Sequence, residues 1–317
     1  MDSSDLHFWT IEALMTSENM IGLIGLGMMG RGMGHSLLSA GRSLSIRPNK
    51  RREVADELLA LGAVQTRSPE HMADISSVIV TCLPSEAAVR DVLFGPAGIA
   101  QAARPGLLVV ECSTLTPMAG RELSEQLARV GVDFVDAPVT GGPTEAMQGR
   151  LNALIGGASD SAAQRAGAIL GAFCKQAFRF AGAGSGYGAK LINNFLAFSN
   201  LVAVAEAMAT ARKTGLDMDT LLAAIEGGGG QNRVLSGLGP WLAGRGESRS
   251  RVKLETAAKD VEYYCQLAGE LETLGSVATQ VRDRLLQGLA DGLGAELTPC
   301  YVSHVAKAAG VQLPAVP

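Results

Sequence analysis

At 317 residues, with 47% hydrophobic and 18% charged side chains, the chain is longer than one ordinary domain and too apolar to be disordered, so two domains sharing a cleft are expected. The formal net charge of -4 leaves Lys50-Arg51-Arg52 as the one dense basic run, too little to neutralise a phosphate backbone, and no nucleic-acid partner is expected. The scattered cysteines Cys82, Cys112, Cys174, Cys265 and Cys300 show no CxxC pairing, and His7, His35, His71 and His304 show no ligand spacing, which argues against a disulfide framework and a metal site and for a reducing cytoplasm. No uninterrupted apolar run reaches the roughly 18 to 20 residues that span a bilayer, so no membrane partner is expected. Residues 1–18 carry Asp2, Asp5, Glu12 and Glu18 rather than a basic leader and read as an extension outside the fold.

In chain order, short apolar runs at 20–25, 43–47, 77–82, 107–111 and 133–139 alternate with helix-like stretches at about 28–40, 50–61, 85–93 and 117–130. This is a βαβ pattern, and it predicts a Rossmann-type α/β domain over 19–183, with a doubly wound parallel sheet that binds ligands beyond the carboxyl ends of its strands. Runs at 152–156 and 177–180, flanking a helix-like segment at 159–173, are expected to add strands at the far edge of that sheet. From 184 the pattern changes to one long helix over 184–214 and further helices at about 218–226, 254–272 and 275–291, an all-helical domain over 184–317. The small residues Ala203, Ala205, Ala207, Ala209 and Ala211 on the long helix suit close packing against another subunit, so a homodimer or homotetramer is expected.

Gly25, Gly27 and Gly30 form a GxGxxG spacing directly after the first predicted strand and before a helix, with Leu26, Met28 and Met29 between them. Gly25 suits the tight turn, Gly27 lets backbone approach a pyrophosphate, and Gly30 lets the helix pack on the strand with its N-terminus facing the anion. The second strand ends without the carboxylate that would accept hydrogen bonds from ribose hydroxyls. It ends instead in Arg47-Pro48-Asn49-Lys50-Arg51-Arg52, whose cations favour a 2′-phosphate and hence NADP over NAD, or else form the solvated first turn of the next helix.

Two further motifs accompany this loop: Asp136-Ala137-Pro138-Val139-Thr140-Gly141-Gly142, and Gly184-Ser185-Gly186-Tyr187-Gly188-Ala189-Lys190 running on to Asn193-Asn194. Lys190 and Asn194 stand four residues apart on the predicted helix, so both project from one face. Together with Glu111-Cys112-Ser113-Thr114 and Lys259-Asp260, these segments resemble the β-hydroxyacid dehydrogenases of the 3-hydroxyisobutyrate dehydrogenase type, from about residue 20 to about 300.

The resemblance implies hydride transfer between NAD(P) and a small 3-hydroxyacid or its semialdehyde, with Lys190 exchanging the proton and Asn194 orienting the substrate. It implies a substrate carboxylate held by Thr140, Gly141 and Gly142, where a hydroxyl and inward amides can form an anion nest. An ammonium group suits the lysine position because it polarises a carbonyl and donates its proton as the alkoxide forms. Thr114 and Lys259 are implied to contact the cofactor, and Leu83 and Pro84 are assigned to it with them. Where the family commonly has Asn-Arg-Thr, this chain has Pro48-Asn49-Lys50, and Arg47 is the expected spatial substitute. Gly227–Arg233 lies where relatives place substrate-facing residues, but its glycines leave no readable pocket. An imine reductase-like enzyme would share the architecture, yet usually without the lysine. A non-catalytic dinucleotide-binding sensor would need the Gly-rich turn alone.

Overall fold

A computed structural model describes residues 20–48 and 52–316; the expected extension over 1–18, and Asn49, Lys50 and Arg51, lie outside the described residues. The first half runs β1 (Met20–Ile24), α1 (Met28–Ser39), β2 (Ser43–Arg47), α2 (Arg52–Ala60), β3 (Val64–Gln65), α3 (Pro69–Ile75) and β4 (Val78–Thr81). It continues through α4 (Glu86–Phe94), a 3-10 turn (Ile99–Ala102), β5 (Leu108–Glu111), α5 (Pro117–Ala128) and β6 (Asp133–Asp136). These strands form one six-stranded parallel sheet in the order β3-β2-β1-β4-β5-β6, the expected Rossmann-like arrangement. Every residue of β1 is buried, as a central strand covered on both faces requires. Alternate residues feed opposite layers: Leu23, Ile46, Val80, Val110 and Val135 pack on one side, and Ile24, Ile79, Val109 and Phe134 on the other.

The order reverses between β1 and β4, and the register aligns Arg47, Ile24, Thr81, Glu111 and Asp136 in one row across the carboxyl ends of the strands. Such a row marks where ligands bind in open α/β sheets.

The runs expected at the far edge of this sheet do not join it. They form β8 (Leu151–Ile155) and β9 (Cys174–Arg179), which with β7 (Val139–Thr140) make a separate three-stranded sheet in the order β7-β8-β9. The run at 133–139 is broken at Ala137-Pro138, where proline has no N–H to continue a ladder. The two sheets remain stitched there, because Leu154 N–H donates to Pro138 O at 2.9 Å and Gly156 N–H to Asp136 O at 2.7 Å. Between β7 and β8 lies α6 (Pro143–Met147), and between β8 and β9 lies α7 (Asp160–Leu170).

The remainder is helical: α8 (Ser185–Lys213), α9 (Met218–Glu226), α10 (Arg233–Leu242), α11 (Leu254–Glu270), α12 (Ser276–Ala290) and α13 (Thr298–Ala308). The chain divides into two compact units after Lys190, inside α8. The second unit has its own core, with Trp241, Leu242, Leu254, Val261, Leu285 and Val302 buried. Helix α8 is long and apolar enough by length and composition to cross a bilayer, but Leu201, Val204, Ala205 and Met208 are buried in this core, as in the central helix of a packed domain. The Gly-rich stretch after Glu226 ends in Asn232, whose side chain accepts from Leu235 N–H at 2.9 Å and caps α10.

Candidate active site

The first strand-to-helix loop divides the work of its glycines. Gly25 has φ +105, and a Cβ there would lie 2.1 Å from Cys82 O; a Cβ on Gly30 would lie 1.8 Å from Gly25 O. Both positions are therefore closed by backbone. At Gly27 an added Cβ meets nothing within 4 Å, so this glycine keeps open the space in front of the loop. Gly27 is also the N-cap of α1 and offers no capping side chain. An open face with the first turn's N–H groups beside it is a cradle for a diphosphate, and the residues present fit a dinucleotide.

Along the carboxyl-end row, Arg47 is half-buried at the end of β2, beside Ile24 in the sheet. After β4, Leu83 N–H donates to Ser113 Oγ at 2.7 Å, which ties the Leu83-Pro84 turn to the Ser113-Thr114 turn after β5. Asn49 and Lys50 lie outside the described residues.

The Thr140 loop is fixed by the dinucleotide helix itself. A Cβ on Gly32 would lie 2.6 Å from Ala146 Cβ, and Ser36 Oγ donates to Ala146 O at 2.8 Å, so α6 seats directly on α1. Asn152 Nδ2 donates to Thr140 Oγ1 at 3.3 Å, leaving the threonine proton to be donated elsewhere. Gly141 has φ +114, a conformation that favours glycine. Gly142 N–H donates to Glu145 Oε2 at 2.9 Å, so one amide of the expected anion nest is held by this chain's own carboxylate.

The first turn of α8 is held by two buried carboxyl groups that neighbour each other across β5 and β6. Asp136 accepts from Gly184 N–H at 2.8 Å and from Tyr187 N–H at 3.1 Å; burial pushes its carboxyl up to about 6, with backbone N–H groups pulling the other way. Glu111 accepts from Thr81 Oγ1 at 3.3 Å, from Ser113 N–H at 3.0 Å, from Ser113 Oγ and from Tyr187 OH. Burial raises its carboxyl, and these donors oppose the shift. A Cβ on Gly184 would lie 2.3 Å from Pro117 O and one on Gly186 2.2 Å from Leu154 O, so the glycines of this motif permit close packing at the helix start.

Sequence reasoning assigned no role to Glu111, Asp136 or Tyr187, although all three fall inside the motifs. The readable signal was an acidic residue in each of two apolar strand runs, Glu111 at the end of 107–111 and Asp136 directly before Ala137-Pro138. Three residues after Tyr187, half-buried Lys190 places its Nζ 2.7 Å from Val139 O, beside Thr140. The structure thus places Lys190 beside the Thr140 loop.

In the helical unit, Asn194 is buried; its Nδ2 donates to Asp260 Oδ2 at 2.6 Å and its Oδ1 accepts from Asn193 Nδ2 at 3.0 Å. Lys259 Nζ lies 2.8 Å from Asp260 Oδ1 and 4.7 Å from the centre of the Tyr263 ring. The lysine is therefore held by a buried carboxylate and an aromatic face rather than displayed as a loose surface charge.

An open glycine cradle at the switch point of a parallel sheet, with a lysine amine beside a hydroxyl and a glycine turn, defines a dinucleotide-dependent oxidoreductase. Residues 20–182 match the family described as NAD binding domain of 6-phosphogluconate dehydrogenase, and residues 184–298 the one described as NAD-binding of NADP-dependent 3-hydroxyisobutyrate dehydrogenase. The chain is 33% identical over 215 residues to 2-hydroxy-3-oxopropionate reductase of Escherichia coli K12, covering 68% of this chain and 73% of that protein. It is 29% identical over 285 residues to 2-(hydroxymethyl)glutarate dehydrogenase of Eubacterium barkeri, covering 89% and 93%. Among solved structures, 3-hydroxyisobutyrate dehydrogenase from Salmonella typhimurium superposes with TM-score 0.80 at 26% identity, covering 90% of this chain and 99% of that one. The chain belongs to the β-hydroxyacid dehydrogenase family and is an NAD(P)-dependent oxidoreductase of hydroxyacids or their semialdehydes.

Proposed function

We propose that the enzyme interconverts a small 3-hydroxyacid and its semialdehyde with Lys190 as proton donor and acceptor, and that it prefers NADP. The bound nicotinamide supplies or accepts the hydride at the substrate's carbonyl carbon. In reduction, Lys190 Nζ polarises the carbonyl and gives its proton to the oxygen as the C–O double bond becomes an alcohol; oxidation returns that proton to the amine. The observation that carries this reading is the 2.7 Å contact from Lys190 Nζ to Val139 O, which holds the amine next to Thr140.

Thr140, with its hydroxyl oriented by Asn152, and the amides of Gly141 and Gly142 hold the substrate carboxylate, which takes the Gly142 N–H from Glu145. Asn194 orients the substrate, and its side chain is aligned for that by Asp260. Gly25, Leu26, Gly27, Met28, Met29 and Gly30 would hold the pyrophosphate, and Arg47, with Asn49 and Lys50 assigned from sequence alone, would supply the donors and charge that a 2′-phosphate needs. Leu83, Pro84, Thr114 and Lys259 complete the cofactor contacts. The enzyme works in the cytoplasm as a homodimer or homotetramer without nucleic-acid or membrane partners.

The test is turnover of NADP and NAD in parallel against small 3-hydroxyacids and semialdehydes, on the wild type and Lys190→Ala. Loss of at least about 10²-fold in kcat with cofactor affinity kept supports the assignment. Wild-type kcat in Lys190→Ala, or cofactor binding without turnover of any acid, refutes it.

A further inference from the structure

Glu111 is fully buried, yet it is not isolated, because its donors come from three parts of the chain: Thr81 in β4, Ser113 after β5 and Tyr187 in α8. Ser113, at the turn carrying Thr114, donates both its N–H and its hydroxyl to Oε1. The same Ser113 hydroxyl accepts the N–H of Leu83 at 2.7 Å, which reaches back to the turn after β4. On the other oxygen, Oε2 accepts from Tyr187 OH on the first turn of α8. One unbroken chain of hydrogen bonds thus runs Leu83, Ser113, Glu111, Tyr187, and Tyr187 lies one helical turn before Lys190, on the same face.

The tyrosine ring has no room to wander. A Cβ added to Gly120 on α5 would fall 2.8 Å from Tyr187 Cδ2, so the ring packs directly against a glycine, and the Tyr187 N–H is separately fixed by Asp136 at 3.1 Å. A buried polar group is by itself weak evidence for stability. What it provides is a fixed position for the groups that donate to it.

We propose that Glu111 and Tyr187, bonded directly to each other and tied to the cofactor turns through Ser113, are positioning residues that set the Lys190 turn of α8 relative to those turns at Leu83 and Thr114. The inference rests on the assignment of Lys190 as the proton-transferring group. Neither Glu111 nor Tyr187 touches the reacting atoms; they act by holding the amine at the distance from which it delivers its proton as hydride moves. An error of about 1 Å in such an alignment costs on the order of 10²-fold in rate.

The experiment compares wild type, Tyr187→Phe, Lys190→Ala and the double variant, in the full chain, by kcat and KM on the acid that turns over and by fluorescence titration of NADPH. Tyr187→Phe keeps the ring on Gly120 and removes only the hydroxyl. Its kcat is expected to fall about 10- to 100-fold while the NADPH Kd stays within about twofold, because the cradle at Gly27 is untouched. In the Lys190→Ala background the same change is expected to cost nothing further, since the group it positions is gone.

Wild-type kcat in Tyr187→Phe, or an equal fall with and without Lys190, overturns the inference alone. Wild-type kcat in Lys190→Ala overturns the lysine assignment and this inference with it. Should Tyr187→Phe not fold, Ser113→Ala breaks the same chain at its other end and is held to the same two criteria.

Discussion

Gly27 and Gly30 lie three residues apart in one loop, and the structure assigns them opposite sensitivities to the same methyl group. In Gly27→Ala the new Cβ meets nothing within 4 Å, and the backbone at φ -77 is one that alanine adopts. Loss of a glycine N-cap costs a fraction of a kcal/mol to about 1 kcal/mol, and the reduced freedom of the unfolded chain returns about 0.4 to 1 kcal/mol, so the melting temperature is expected to stay within a few degrees. The methyl group instead occupies the space through which backbone N–H groups reach a pyrophosphate. Losing one or two charge-assisted hydrogen bonds at about 1.5 to 3 kcal/mol each raises the cofactor Kd by at least about tenfold and on the order of 10²-fold. In Gly30→Ala the Cβ would lie 1.8 Å from Gly25 O, a backbone atom, so the helix must shift and the protein loses about 1 to 3 kcal/mol or more. Thermal melts and NADPH fluorescence titrations on both variants read the two effects separately. A Gly27→Ala protein that binds NADPH like the wild type would refute the placement of the pyrophosphate over this glycine.

Three further outcomes follow from buried or competing charges. Burial raises the Asp136 carboxyl from 3.8 to about 6, so its contribution to stability is fully present below 3.8 and is lost as pH rises through about 6; urea titrations from pH 3 to 7 should show about 3 kcal/mol of this change in wild type and not in Asp136→Asn. Asn194→Asp sets a second carboxylate 2.6 Å from Asp260 Oδ2 in a buried site, and a loss of about 3 to 5 kcal/mol is expected by chemical denaturation, while Asn194→Ala should cost less. Glu145→Gln keeps an acceptor for the Gly142 N–H at 2.9 Å but removes a negative charge that competes with the substrate carboxylate, so the KM for acid substrates should fall about two- to fivefold, and a raised KM would count against a carboxylate bound at this loop.

The doubly wound domain was legible because its strands are buried on both faces and therefore read as continuous apolar runs, Met20–Ile24 and Leu108–Glu111 among them. The pairing of β8 and β9 was not legible. An apolar run such as Leu151–Ile155 fits an edge strand of either sheet, and only the break at Ala137-Pro138, where β7 begins a new ladder, decides between them. Short helices escaped periodicity but carried caps that could have been read: Ser68 followed by Pro69 at the start of α3, Asn232 before α10, and Pro299 in the first turn of α13. The stretch before Arg233 reads as flexible by glycine content alone, yet the residue that stops it, Asn232, is the residue that starts a helix.

The site divided in a similar way. The glycines of the loop, Thr140 and Lys190 stand out in sequence by residue type, whereas Glu111, Asp136 and Tyr187 are linked to one another only by three-dimensional neighbours. Glu111 and Asp136 are separated by a whole βα unit in the chain and become adjacent only through the parallel register of β5 and β6. Once adjacent, they can anchor the same helical turn from two directions, Asp136 through backbone N–H groups and Glu111 through a phenol. The fold thus places Lys190 by the ends of two strands of the dinucleotide sheet. On this argument the amine and the cofactor turns move together or not at all, and any substitution that frees the helix start from the sheet should lower turnover before it lowers cofactor affinity.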